Sequence, residues 1–78
     1  MTTVSLANLR QGEIGYIGSL EGGHQLISRL AALGFTGGAP VTVIRNYGIG
    51  PIVVSVRGAQ IALGRGEAGR VRVRRQGE

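Results

Sequence analysis

Along this chain the spacing of the apolar residues leaves period two once, for a single helical stretch, and then returns to it. In "EIGYIGSL" (13–20), Ile14, Tyr16, Gly18 and Leu20 alternate with Glu13, Gly15, Ile17 and Ser19, which is strand periodicity. In "EGGHQLISRLAALG" (21–34), Leu26, Ile27, Leu30, Ala31 and Leu33 fall on one helical face, and His24, Gln25, Ser28, Arg29 and Ala32 fall on the other. The spacing predicts one α-helix over 23–33. Gly34 follows the last apolar position, where a left-handed cap needs a residue without a side chain, and Phe35 can fold back onto the helix.

The remaining runs are short and closely spaced. "VSLANLRQGE" opens with Ser5, a good cap for a short helical turn over 6–10. "PVTVIRNY" (40–47), "PIVVSVR" (51–57), "QIALG" (60–64) and "RVRVRR" (70–75) read as strands, with a tight turn at Gly58-Ala59 and a 3₁₀-like turn in "RGEAG" (65–69). In the last strand Val71 and Val73 face inward and Arg70, Arg72 and Arg74 outward, a pattern suited to an exposed edge. Fifteen glycines in 78 residues sit between these runs, as turns do in a tight barrel. The fold class is therefore mainly β: one domain over 1–78, a small SH3-like barrel of about five strands with one inserted helix and a short N-terminal helical turn. Tyr16 and Phe35 are expected in its core.

The chemistry such a chain can support is narrow. It has no cysteine, no lysine, no aspartate and one histidine, and its glutamates, 13, 21, 67 and 78, lie in four separate segments. No local spacing brings two carboxylates together, and a Ser/His/Asp arrangement has no aspartate to draw on. "GFTGGA" follows a helix instead of opening one, so it is no dinucleotide fingerprint, and a phosphate-binding P-loop would need a lysine. An enzyme is not expected, nor a cofactor. No dedicated metal site is expected either; His24, with Glu21 three residues before it, is a weak candidate ligand. Absence of cysteine, of a secretory leader pattern and of a long apolar run gives the expectation of a cytoplasmic protein. The net charge of +5 admits a nucleic-acid, membrane or acidic-protein partner. With three aromatic residues the stacking platforms of single-strand and RNA readers are missing, so nucleic acid is not the expected partner. Tyr47 and Ile49, in "NYGIGP", are either spare core or an exposed apolar tip.

The order of motifs "LANLRQGEIGYI", "RLAALGF", "GGAPVTVIRN", "GPIVVSVRGAQIAL" and "EAGRVRV" resembles the FeoA family, small companions of the FeoB ferrous iron transporter. The resemblance covers about residues 5–74. It departs from the family at Gly37-Gly38, where a proline commonly precedes the glycine, and at Gly64, which intervenes before Arg65. It implies an SH3-like barrel and an accessory, regulatory role in ferrous iron uptake. It also implies docking on the cytosolic GTP-binding (G) domain of an FeoB-type transporter. On that reading His24 and Arg29 on the outer helix face, Tyr47 and Ile49 on the loop, and Arg57 are candidate contact residues. Two alternatives accompany it: a freestanding metal-sensing SH3-like domain related to the C-terminal domain of DtxR-type repressors, and a basic nucleic-acid-binding barrel. Glycine-rich edge strands also leave room for a homo-oligomer.

Overall fold

The computed structural model describes residues 2–77; Met1 and Glu78 lie outside the described residues. Six antiparallel strands form one sheet: β1 (Val4–Ser5), β2 (Ile14–Leu20), β3 (Pro40–Arg45), β4 (Ile52–Val56), β5 (Ala59–Leu63) and β6 (Val71–Arg75). Their spatial order is β1-β6-β2-β3-β4-β5. A 3₁₀ turn (Leu6–Asn8), an α-helix α1 (His24–Ala32) and a one-turn helix α2 (Arg65–Ala68) fill the connections. Side chains from β2 through β6, together with Leu6, Leu9, Leu30 and Phe35, close on a single apolar core. Mainly β architecture with one inserted helix and an N-terminal helical turn is what the sequence pattern predicts.

The sixth strand is the addition. Val4 and Ser5 pair with Val73 and Arg72, where the sequence reading saw only the approach to a turn. That pairing places β6 between β1 and β2, so "RVRVRR" is an internal strand and not an edge. Its outward arginines do structural work instead. Arg72 donates to the Thr3 carbonyl at 3.0 Å, and Arg74 lies 5.7 Å from the centre of the Tyr16 ring. Arg75 bonds Glu13 and the Asn8 carbonyl. Inside, Val71 and Val73 are fully buried, as their alternation requires.

In β2 the inward face is Gly15 and Ile17, not Tyr16, which is half-buried under Arg74. Two physical facts set this. A Cβ at Gly15 would stand 2.9 Å from Leu9 Cδ1 and 3.1 Å from Val73 Cβ, so the strand approaches the core where only glycine fits. A register shift between Ile17 and Ser19 then breaks the alternation midway.

α1 begins one residue later than predicted and ends one earlier. Leu30 is its buried anchor, with Leu26 packed beside it one turn earlier. Ala31 and Leu33, expected on the inner face, are exposed. A helix of nine residues spans about two and a half turns, enough for one inward residue per turn against a curved sheet. The corner after it forms as predicted. Gly34 has φ +107°, its N–H bonds the Ala31 carbonyl, and the Phe35 N–H bonds the Leu30 carbonyl. These are the two bonds of a Schellman cap, and Phe35 and Leu30 meet in the core behind it.

The β4–β5 turn is Arg57-Gly58, one residue earlier than read, with φ of 50° and 82°. Two successive positive φ values make the mirror-image turn that matches sheet twist. The segment 65–69, read as 3₁₀-like, is α-helical over Arg65–Ala68.

Candidate docking surfaces

The five candidate residues fall in three places. His24 and Arg29 project from α1, Arg57 sits at the β4–β5 turn, and Tyr47 and Ile49 crown the β3–β4 loop. The loop and the β4–β5 turn lie at opposite ends of β4, so Arg57 and the tyrosine–isoleucine pair cannot share one small site.

Arg57 is drawn onto the corner. Its Nε donates to the Gly34 carbonyl at 3.3 Å and its Nη2 to Thr36 Oγ1 at 2.6 Å. A Cβ on Gly34 would stand 3.2 Å from Arg57 Cδ, so the two residues fit against each other. The side chain remains exposed at its outer edge while it clamps the end of α1 to the sheet.

Arg29 forms an ion pair with Glu67 of α2. Glu67 also accepts from the Gly64 N–H at 3.2 Å and thereby caps its own short helix. His24, the first residue of α1, is exposed. Among the described residues no three of His, Cys, Asp or Glu gather within reach of one metal ion. Beside Arg29 a shallow hollow of about 320 Å³ is lined by Gln25, Leu26 and Arg29. A second, of about 380 Å³, is lined by Gly22, Gly23, Leu26, Gly66, Glu67 and Arg70. Leu26 is common to both, so the two hollows flank one apolar side chain of α1.

The loop carrying Tyr47 and Ile49 is built on Asn46. Its Nδ2 donates to the Leu9 carbonyl at 2.8 Å and the Ala7 carbonyl at 3.3 Å. Its Oδ1 accepts from the Gly48 N–H and from Arg65 Nη2, both at 3.0 Å. Arg65 Nη1 reaches the Gly50 carbonyl at 3.2 Å. Above this base Tyr47 is 72% and Ile49 79% exposed, so the pair is a tip and not spare core. α2 thus touches both surfaces, the loop through Arg65 and α1 through Glu67.

A larger hollow, about 720 Å³, is lined by Arg10, Gln11, Gly12, Glu13 and Arg75 and by none of the five candidates. Glu13 fills its floor. The Arg10 backbone N–H, 2.7 Å from Oε1, holds this carboxyl below the usual glutamate range, partial burial opposes it, and the Arg75 guanidinium adds to the lowering. With Glu13 held by the Arg10 backbone and by the Arg75 guanidinium, the contacts here are a structural tie.

Sequence reasoning missed Asn46 and Arg65. Asn46, two residues before Gly48, carried the signal of a side chain that folds its own turn. Arg65 carried none, because its partners are set by the fold. Charge gives a further asymmetry: between Glu21 and Glu67 there are arginines at 29, 45, 57 and 65 and no acidic residue.

Comparison with known proteins matches this geometry. A protein of Methanocaldococcus jannaschii provisionally named Fe(2+) transport protein A is 35% identical over 68 residues, 87% of this chain and 82% of that one. A crystal structure of an iron uptake regulatory protein, FeoA, superposes with a TM-score of 0.88 at 38% identity, over 95% of this chain and 99% of the other. The FeoA of Stenotrophomonas maltophilia, solved with zinc and described as a procaryotic SH3 domain protein, gives 0.79 at 29% identity, over 94% and 89% of the two chains. The six-stranded sheet with its inserted helix is thus the SH3-like fold that the strand pattern predicts. The pattern that defines the FeoA domain runs through residues 4–75, from β1 to the end of β6, so this chain belongs to the FeoA family, non-enzymatic accessory proteins of ferrous iron transport.

Proposed function

We propose that this protein is a cytoplasmic regulator of ferrous iron uptake that docks on the G domain of an FeoB-type membrane transporter. The observation that carries the reading is the pair of open hollows that flank Leu26 on α1. Leu26 forms their apolar floor, Arg29, Glu67 and Arg70 line them with charge, and Leu33 stays 41% exposed at the end of the same helix. A half-packed helix with an apolar strip and a charged rim is the form that groove-and-helix recognition takes. His24 and Arg29 would meet the partner there and Arg57 would hold the corner in shape while touching it, whereas Tyr47 and Ile49 stand apart from this surface on the β3–β4 loop. No helix among the described residues is long and apolar enough to cross a membrane.

Calorimetry with the transporter's soluble G domain, with and without a non-hydrolysable GTP analogue and with Fe²⁺ supplied or withheld, tests the reading. Binding that depends on the nucleotide is the expected result. Arg29→Glu should weaken it by about tenfold, since reversing one charge at an interface replaces an attraction with a repulsion. No binding in any nucleotide or iron condition would refute the G domain as partner.

A further inference from the structure

We propose that the β3–β4 loop is a membrane-contacting tip: Tyr47 and Ile49 enter the headgroup region of an anionic bilayer, and Arg45 and Arg65 form the cationic collar around them.

The loop is ordered for exposure. Asn46 and Arg65 together make five hydrogen bonds that fix both ends of the segment 46–51. Gly48 and Gly50, at φ of 86° and 75°, alternate with the two apolar residues and turn them outward. Tyr47 and Ile49 are the two most exposed large apolar side chains among the described residues. A loop held this firmly, with its apolar residues facing water, is prepared for a surface that covers it.

Charge identifies the surface. Arg45 lies 6.0 Å from the centre of the Tyr47 ring, and the Arg65 guanidinium sits under the loop between Asn46 and Gly50. The two ion pairs among the described residues use Arg29 and Arg75, so neither collar arginine is neutralised by a carboxylate. Glu67, two residues from Arg65, is committed to Arg29 and the Gly64 N–H. The partner that complements this tip is therefore apolar just below an anionic layer.

Size favours lipid over a protein pocket. Two side chains present on the order of 300 Å², whereas a stable protein interface takes roughly 800 Å² from each partner. A bilayer needs no shape complementarity. Tyrosine prefers its interfacial layer, and arginine adds attraction to anionic headgroups. One shallow apolar insertion plus a small basic collar gives reversible, salt-sensitive attachment and not an anchor. Such attachment would raise the local concentration of the protein near any membrane partner. It requires no transporter, so it stands or falls separately from docking on the G domain.

The test uses the full chain with vesicles of phosphatidylcholine alone and of phosphatidylcholine mixed with phosphatidylglycerol. Co-sedimentation at low salt should capture the protein on the anionic vesicles and not on the neutral ones. Lipids brominated in the upper acyl chain should quench tyrosine fluorescence in a Tyr16→Phe background, where Tyr47 is the remaining tyrosine. The pair Tyr47→Ser and Ile49→Ser should lower binding by about tenfold or more, and Arg45→Glu by several-fold, with circular dichroism unchanged. Three results would overturn the proposal. One is no capture by anionic vesicles at low salt. Another is capture that survives loss of both tip residues. The third is tip substitutions that abolish binding to the G domain while vesicles remain unbound, which would make the tip a protein contact.

Discussion

The corner that joins α1 to β3 and the loop that joins β3 to β4 are built from the same materials and finished differently. Both turn on glycines with positive φ, and both are braced by an arginine from a distant part of the chain. At the corner the apolar residue, Phe35, goes inward and is 1% exposed, and Arg57 closes over the backbone. At the loop the brace is underneath and the apolar residues go out. The corner's ordering is offset by burial in the core. The loop's ordering is offset by hydrogen bonds alone, and its apolar area remains available to a partner. The difference separates a piece of architecture from a piece of working surface.

The largest effect expected on this contrast comes from Phe35→Ala. Emptying a buried phenylalanine site costs about 3–5 kcal/mol, while a domain of this size has total stability on the order of 4–12 kcal/mol. Urea denaturation should show a protein that has lost about a quarter or more of its stability. Wild-type stability would mean that the corner is held by its turn bonds and not by the core.

Asn46→Ala follows. It removes the donor to the Leu9 and Ala7 carbonyls and the acceptor for Gly48 and Arg65. The cost should be about 1–3 kcal/mol, since partly buried groups lose their partners. Hydrogen exchange should speed up at Gly48 while α1 keeps its protection. If exchange stays slow there, the loop is rigid for some reason other than Asn46.

Arg57 sharpens the comparison from the corner side. Arg57→Ala loses two side-chain hydrogen bonds and keeps a backbone at φ 50°, which non-glycine residues disfavour. It should cost about 1–2 kcal/mol. Arg57→Gly loses the same bonds but relieves the backbone, so it should sit roughly 1 kcal/mol above the alanine variant. Equal stabilities would show that the turn is not strained.

How far the sequence foretold these two regions depends on where the determining contacts lie. The Schellman cap at Gly34 is local: a helical period, a glycine and a phenylalanine within a few positions. So are the β3–β4 and β4–β5 hairpins. The strand at Val4–Ser5 was not legible, because two residues carry no period and their partners sit at the other end of the chain. That one omission also misplaced β6 at an edge. The inward face of β2 was read wrongly because a bulge and a close approach at Gly15 outweigh alternation. Among candidate residues, Tyr47 and Ile49 were flagged by their type and their loop. The ties of Arg57 to Gly34 and Thr36, and of Arg65 to Asn46, depend on folding and left no trace in spacing.

A smaller effect separates internal charge from working charge. The folded state lowers the Glu13 pKa, so the stabilisation it provides is complete above the ordinary glutamate value. It fades as pH falls through the lowered one. Glu13→Gln should therefore be slightly less stable than wild type at neutral pH and equal to it in strong acid, with urea midpoints converging across that window. Parallel curves would show that the Arg10 and Arg75 contacts do not act through the charge.

The smallest effect on stability belongs to the tip, and its smallness is what the contrast requires. Tyr47→Ser with Ile49→Ser removes side chains that are already mostly in water and touches none of the hydrogen bonds of Asn46 or Arg65. The change should stay within about 0.5 kcal/mol. Asn46→Ala and the tip pair then form a matched test within one loop: the first should alter stability, the second only attachment. A tip pair as costly as Asn46→Ala would mean that Tyr47 and Ile49 support the fold. The loop would then be architecture like the corner, and the claim that it is a working surface would fail with it.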